Sequence, residues 1–158
     1  MESNVDTIRI RRGTTDDAET IARHNRAMAL ETERKELDAA RTLAGVRSLF
    51  REPSRGFYLI AERDSRVVGQ LMVTTEWSDW RNGDFWWIQS VYVVPDARRT
   101  GVFSALYRFL DGEARRRDDV CGLRLYVERE NLTAQRAYAR LGMKRAVYEI
   151  FESDFVLG

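Results

Sequence analysis

The sequence contains very little cysteine, histidine and proline. Its 158 residues include one cysteine, Cys121, one histidine, His24, and two prolines. This composition excludes a disulfide framework and leaves too few ligands for a Cys/His zinc site. No apolar run approaches the ~18 residues of a membrane-spanning helix, and residues 1–6 lack the basic-then-apolar pattern of a secretory signal. We therefore expect a cytoplasmic protein with no metal and no membrane partner.

Charge is plentiful but balanced, with 26 basic and 25 acidic residues and a formal net charge of +1. A nucleic-acid-binding surface normally carries a net basic excess, so we expect no nucleic-acid partner. The chain also lacks a Pro/Ser-rich linker, a low-complexity segment and an internal repeat. A chain of this length can bury one core without disulfides, which predicts a single domain over residues 1–158.

Hydrophobic periodicity and turn residues predict the element order β-α-α-β-β-β-α-β-α-β. The dipeptide Asn82-Gly83 is a strong hairpin signal, and the apolar run Val91–Val94 suits a central strand. The predicted strands cover residues 7–12, 57–62, 67–76, 85–94, 122–128 and 146–152. The first predicted helix ends at about residue 33, and the other three cover residues 36–50, 101–117 and 132–141. An antiparallel meander that feeds a β-α-β unit indicates an α/β or α+β sheet covered by helices.

The segment Val93–Ser104 joins a buried strand to the start of a helix. Backbone amides in the first helical turn lack intrahelical partners, so together with the helix dipole they favour a phosphate group. Arg98 and Arg99 add positive charge, and Gly101 permits a positive φ and a close backbone approach. Each of these features is common in connections between a strand and a helix. By themselves they do not predict a phosphate site, and a second motif is needed.

A second motif lies near the C-terminus. Asn131, Ala134, Tyr138 and Gly142 stand at offsets of three, seven and eleven positions. Asn131 and Tyr138 are therefore two helical turns apart on one side of a predicted helix, roughly 10 Å along its axis. Gly142 is placed to end that helix.

Together the two motifs resemble the GNAT superfamily of acetyl-CoA-dependent N-acetyltransferases. Its coenzyme motif, V-x-P-x-x-(Q/R)-x-x-G-x-(G/A), matches Val93, Pro95, Arg98 and Gly101, while Phe103 stands where the family usually has Gly or Ala. Its later pattern, N-x-x-A-x-x-x-Y-x-x-x-G-(F), matches Asn131 through Gly142. The stretch over residues 76–107 looks like a bacterial subgroup in which this Phe is usual and the substrate is undefined.

The resemblance implies a mixed, mostly antiparallel central sheet of about six to seven strands flanked by four helices. It also implies acetyl-CoA as co-substrate and no metal. The residues that it assigns to coenzyme binding are Val91, Tyr92, Val93, Arg98, Arg99, Thr100, Gly101, Val102, Phe103, Ser104, Asn131, Ala134 and Tyr138.

Three catalytic tasks follow from the resemblance for direct transfer of acetyl to a primary amine of a small molecule or peptide. Backbone N–H groups near Val91–Val93 would polarise the thioester carbonyl. Tyr138, whose phenol has an ordinary pKa of about 10, would protonate the departing thiolate. Asn131 would hold the pantetheine arm or a water.

The base that accepts the proton of the amine is open. Trp87 stands where many relatives carry a glutamate. The candidates are Glu76, at the end of the neighbouring strand, and a water held by Gln89 and Ser90. Glu76 is slightly favoured as the base, although a carboxylate before a turn is at least as often simply exposed to water.

Other residues are assigned ordinary roles. Acidic residues near the early helices and the four tryptophans could line an acceptor pocket, but such residues more often face water or the core. We expect His24 to be a surface residue and Cys121 a small core residue. The aromatic segment Tyr148–Phe155 and exposed strand edges could support a homodimer.

Two other classes of protein compete with an enzyme. Trp87 in place of a glutamate motivates a non-catalytic acyl-CoA-binding module, a sensor or structural protein on the same fold. An interaction domain without a coenzyme requires both motifs to be coincidental.

Overall fold

The computed structural model describes residues 7–157, which contain five strands and four helices. They divide into two compact units on either side of the Tyr126–Val127 bond. The first unit contains β1 (Arg9–Arg12), α1 (Ala18–Glu33), α2 (Ala39–Arg51), β2 (Gly56–Arg63), β3 (Arg66–Ser78), β4 (Gly83–Val93), α3 (Val102–Arg115) and β5 (Val120–Leu125). The second contains α4 (Leu132–Arg140). A single domain over residues 1–158 stays a prediction.

The strands form one sheet in the order β1-β2-β3-β4-β5. All neighbouring pairs are antiparallel except β4 and β5, which are parallel because α3 connects them. The β2–β3 hairpin turns at Asp64 and Ser65, both of which have positive φ, as a tight two-residue turn requires. Asn82 has φ 44° and precedes β4, in agreement with the predicted hairpin.

The two faces of the sheet are covered by different helices. Residues of α1 and α2, including Ile21 and Leu49, pack with Tyr58 and Ile60 of β2. Gly69 on β3 belongs to the opposite face, and a methyl group added there would lie 2.7 Å from Val102 of α3. Because successive side chains of a strand alternate between faces, α1 and α2 cover one side and α3 covers the other.

The observed element order matches the predicted order as far as α4, but the predicted last strand is not found. Within residues 7–157 the sheet has five strands, not six or seven, and residues 146–152 form no strand. Val147 and Phe151 are more than 90% exposed. Their segment has the composition of a strand, but a strand also needs a partner for its backbone groups, and composition does not specify one. Among the described residues, no helix has the length and apolar character needed to cross a bilayer.

Candidate active site

Strand β4 contains a bulge near its C-terminal end. Gln70 of β3 pairs with Tyr92, and Met72 pairs with Gln89, so that Ser90 and Val91 together oppose one residue of β3. Ser90 has φ 49°, in the left-handed region that a residue with a side chain rarely adopts. A bulge takes its extra residue out of the regular hydrogen-bond ladder and redirects its peptide groups. The bulge coincides with the segment predicted to polarise an acetyl carbonyl.

A buried polar side chain lies beside this bulge. Gln70 is 0% exposed, and its Nε2 donates to Asn25 Oδ1 at 2.9 Å and to the carbonyl oxygen of Ser90 at 3.4 Å. His24 Nδ1 lies 2.9 Å from Gln70 Oε1. The prediction that His24 is a surface residue is therefore wrong. The prediction was based on the polar residues that surround His24 in the sequence. In the helix, however, His24 lies on the same face as the buried Ile21.

The turn between β4 and α3 has the backbone shape that the coenzyme motif predicts. After the 3₁₀ turn Pro95–Ala97, Arg99 and Gly101 both have positive φ, 63° and 86°, and α3 begins at Val102. No described side chain caps this helix start. A Cβ at Gly101 would meet no described atom within 4 Å. The start of α3 therefore borders open space at Gly101, and a helix start of this kind is where backbone amides can receive an anion.

Two arginines are anchored at this turn. Arg98 Nε donates to Val93 O at 2.9 Å, and its Nη2 forms an ion pair with Glu31 Oε2 at 2.7 Å. Arg63, at the end of β2, donates from Nη2 to Thr100 Oγ1 at 3.1 Å. The sequence motif did not indicate Arg63, because it is 37 positions from Thr100 and only the hairpin register brings it there.

The remaining predicted residues of α3 point in different directions. Val102 is buried under α3 against Gly69, and Ser104 is half-buried in the first turn. The Phe103 ring is tilted against the ring of Tyr107 one turn later, with centroids 6.3 Å apart. Phe103 thus packs along its own helix, as residues spaced by four do.

Charged and aromatic side chains meet on the α1 side of the sheet near the start of β4. Glu76 pairs with Phe85, and Thr74 pairs with Trp87, so all four share one face. Arg124 of β5 donates to Glu76 Oε1 at 3.0 Å and lies 3.6 Å above the Phe85 ring. The Trp87 ring packs on Tyr126, with centroids 4.4 Å apart. We call Glu76, Phe85, Trp87, Arg124 and Tyr126 the aromatic–ionic face.

The acids and tryptophans considered for an acceptor pocket are dispersed. Glu31 pairs with Arg98, Glu33 lies 3.6 Å from the ammonium of Lys35, and Glu36 is exposed. Trp86 is buried edge-on against Phe57. Trp77 and Trp80 are exposed. Of the four tryptophans, Trp87 is the one on the aromatic–ionic face.

The second unit contains the other motif in the predicted helical form. Asn131 precedes α4, and its side-chain oxygen accepts from the Ala134 N–H at 3.1 Å, as an N-cap does. Gly142 has φ 88° and ends the helix. Burial raises the pKa of Tyr138 above its ordinary value of 10, which keeps the phenol protonated at neutral pH.

The residues described by the structure, 7–157, contain no group of three or more His, Cys, Asp or Glu side chains arranged to hold a metal ion. Cys121 is half-buried in β5.

The bulged β4 strand, the glycine turn and the mixed sheet place this chain among the acetyltransferases by fold. Residues 17–143 match the model of the acetyltransferase (GNAT) family, and the chain belongs to that family. A comparison with curated proteins finds no match.

Solved structures agree with this assignment. A possible acetyltransferase from Clostridium difficile 630 is 42% identical, with 94% of this chain and 98% of that chain covered and a TM-score of 0.87. A ribosomal-protein-alanine N-acetyltransferase from Brucella melitensis biovar Abortus 2308 is 19% identical, covering 94% and 99%, with a TM-score of 0.76. A predicted acetyltransferase from Clostridium acetobutylicum, solved with acetyl-CoA, is 14% identical, covering 93% and 96%, with a TM-score of 0.76. The last two show the fold alone.

Proposed function

We propose that this protein is an N-acetyltransferase that moves the acetyl group of acetyl-CoA directly to a primary amine of a small molecule or peptide. One observation carries the proposal: the bulge at Ser90 and the glycine turn at Gly101 lie on one continuous segment of a single compact unit. This segment supplies amides for a thioester carbonyl and, a few residues later, amides for a pyrophosphate.

The coenzyme phosphates are proposed to bind at the first turn of α3. The amides from Gly101 to Ser104 and the helix dipole favour negative charge, and Arg99 and Arg63 raise the local positive potential. Val91, Tyr92 and Val93 would line the acyl end. Asn131, Ala134 and Tyr138 are proposed as further coenzyme residues because they match the motif of the family.

The proposed reaction is a direct displacement. The nitrogen lone pair of the acceptor attacks the thioester carbon, and backbone N–H groups of the bulge stabilise the negative oxygen that forms. The C–S bond then breaks, and the sulfur takes the phenolic proton of Tyr138. Before the attack, the protonated acceptor gives one proton to a base, either Glu76 or a water held by Gln89 and Ser90, so that the amine arrives neutral. After the attack, the acylated nitrogen loses its second proton, which replaces the one that Tyr138 gave to the sulfur.

The aromatic–ionic face is the proposed entrance for the acceptor. Gln89 immediately precedes the bulge, and it donates from Nε2 to Thr74 Oγ1 on that same face. Trp87 and Tyr126 offer ring surface to the apolar or cationic part of an amine. Glu76 is held by Arg124, so it would act as a base only when the acceptor loosens this pair.

The test is calorimetric titration with acetyl-CoA and CoA, followed by thiol release against a panel of amines. In a parallel thermal-shift assay, a ligand at 100 times its dissociation constant should add about 2.7 kcal/mol of stability. Arg99→Ala should weaken CoA binding severalfold, whereas Arg108→Ala, which removes an exposed cation further along α3, should not. Absence of binding by the wild-type protein contradicts the proposal.

The same experiment decides the competing function, a non-catalytic acyl-CoA-binding module. Two observations favour that module: Trp87 stands where many relatives carry a glutamate, and the carboxylate of Glu76 is already paired with Arg124. Tight acyl-CoA binding with no turnover of any amine in the panel would support it. Turnover that is lost in Tyr138→Phe would exclude it.

A further inference from the structure

The buried amide of Gln70 connects helix α1 to the bulge in β4. Its Nε2 donates to Asn25 Oδ1 and to the backbone carbonyl of Ser90, and its Oε1 lies against His24 Nδ1. In proteins, the polar atoms of a fully buried side-chain amide are as a rule hydrogen-bonded. We call His24, Asn25 and Gln70 the amide cluster.

The hydrogen-bond pattern determines where the protons of this cluster lie. Because Gln70 Nε2 donates to both Asn25 and Ser90, the Oε1 atom is left as an acceptor. His24 Nδ1 must therefore carry the hydrogen and donate it to Gln70. Burial lowers the pKa of His24, which keeps the ring neutral and preserves this tautomer.

The geometry of the peptide bond transmits this arrangement to the proposed active site. The carbonyl of Ser90 and the N–H of Val91 belong to one planar trans peptide unit, so they point in opposite directions. When Gln70 holds the Ser90 oxygen, it also sets the direction of the Val91 N–H. That N–H is one of the groups proposed to polarise the acetyl carbonyl.

Two further observations show that the bulge is held by its surroundings. Ser90 keeps a left-handed conformation, φ 49°, which persists in non-glycine residues where the surrounding structure imposes it. On the other side of the bulge, the Tyr92 ring packs on the His24 ring, with centroids 4.9 Å apart. His24 thus contacts the strand beyond the bulge through its ring and the bulge carbonyl through Gln70.

We propose that the amide cluster positions the bulge for acetyl transfer: Gln70, oriented by His24 and Asn25, aims the Val91 N–H at the thioester carbonyl. These are positioning residues, because they act through the peptide unit rather than on the substrate. The inference rests on the proposed function, since it requires an acetyl group at the bulge.

The experiment is isotope-edited infrared spectroscopy of acetyl-CoA labelled with ¹³C at the carbonyl and bound to the intact protein. A hydrogen bond to the thioester oxygen lowers its stretching frequency, so the bound wild-type band should lie below that of free acetyl-CoA. In Gln70→Met, which keeps the volume but removes the amide, the band should return toward the free value. Turnover should fall at least about tenfold while the dissociation constant of CoA stays within about twofold.

Two further variants separate positioning from stability. Leu49→Ala, which leaves a cavity between α2 and the sheet, should destabilise the protein without moving the carbonyl band. His24→Leu should behave like Gln70→Met, and His24→Asn should recover much of the shift because the asparagine amide nitrogen replaces Nδ1. The His24 pair decides the question by itself if Gln70→Met does not fold.

Each outcome bears on one proposal or on both. If the wild-type protein does not bind acetyl-CoA, the proposed function fails and this inference fails with it. If acetyl-CoA binds and amines are acetylated, but Gln70→Met keeps the shifted band, the inference alone is overturned. It is also overturned if the wild-type band is unshifted, if Leu49→Ala abolishes the shift equally, or if His24→Asn is no better than His24→Leu.

Discussion

Arg98 of the coenzyme motif forms an ion pair with Glu31, 2.7 Å between Nη2 and Oε2, and so joins the turn before α3 to the end of α1. The same guanidinium lies 5.5 Å from the centre of the Tyr92 ring. An arginine that the sequence motif suggests for phosphate is thus already paired with a carboxylate. Both side chains are about two-fifths exposed, so the pair itself contributes little to folding stability.

Glu31→Gln should therefore strengthen coenzyme binding. Removal of one negative charge beside the turn favours a polyanion by about two- to fivefold at low salt, and the gain should shrink at high salt. Calorimetric titration with CoA at two ionic strengths measures both effects. Glu19→Gln makes the same charge change at the far end of α1 and should leave CoA affinity unaltered. Weaker binding by Glu31→Gln would show that the pair is needed to shape the turn.

Tyr138→Phe should lower turnover about 10²- to 10⁴-fold, because loss of a proton donor removes general acid catalysis. The dissociation constant of CoA should change little, since the ring remains. Steady-state rates of thiol release and a parallel CoA titration provide the comparison. Tyr148→Phe, an exposed tyrosine in the same unit, is the matched control. Unchanged turnover in Tyr138→Phe would remove this residue from the mechanism.

Glu76→Gln tests the favoured base. If Glu76 takes the proton of the amine, the variant should lose at least about tenfold in turnover near neutral pH. The defect should shrink as the pH approaches the pKa of the acceptor, because the amine then arrives neutral by itself. A pH profile of the ratio between wild-type and variant rates measures this trend.

Arg124→Met, which frees Glu76 without removing it, should keep turnover at or above the wild-type rate. As a control, Asp79→Asn removes one negative charge in the exposed turn after β3 and should leave turnover unchanged. A pH-independent ratio for Glu76→Gln would favour the water held by Gln89 and Ser90.

His24 should make the protein less stable in mild acid. Burial lowers its pKa in the folded state from the usual 6.5, so below that pH the unfolded chain binds a proton that the folded chain resists. Stability is then fully present above about pH 6.5 and declines as the pH falls toward the folded pKa, by at most about 1.4 kcal/mol per pH unit.

Urea denaturation at several pH values between 5 and 8 measures this slope. His24 is the one histidine in the sequence, so His24→Asn should flatten the profile in this range. A wild-type stability that does not change between these pH values would contradict the assignment of a buried neutral imidazole.

Two glycines should respond oppositely to the same substitution. A Cβ at Gly69 would lie 2.7 Å from a methyl carbon of Val102, so Gly69→Ala should force α3 away from the sheet and cost about 1–3 kcal/mol. Gly112 lies within α3 with its nearest neighbour 3.8 Å from such a Cβ, so Gly112→Ala should stabilise by up to about 1 kcal/mol. Thermal unfolding of both variants gives the comparison.

Features that depend on neighbouring residues were predictable from the sequence. Gly101 and Gly142 have the positive φ values that glycine adopts without strain, and Asn131 caps α4. The order of elements as far as α4 follows from apolar periodicity, which contiguous residues carry. The predicted strand over 146–152 failed because its composition describes a residue preference, whereas a strand exists through its pairing.

By itself, the sequence determined the helices, the hairpins, the glycine turn and the family motifs, because caps, left-handed turns and periodicity are local properties of the chain. Only the tertiary structure decided that His24 is buried, that it meets Gln70 46 positions away, and that Arg124 holds Glu76. These contacts depend on strand register and on one bulge in β4, and a shift of one residue would send each strand side chain to the opposite face of the sheet.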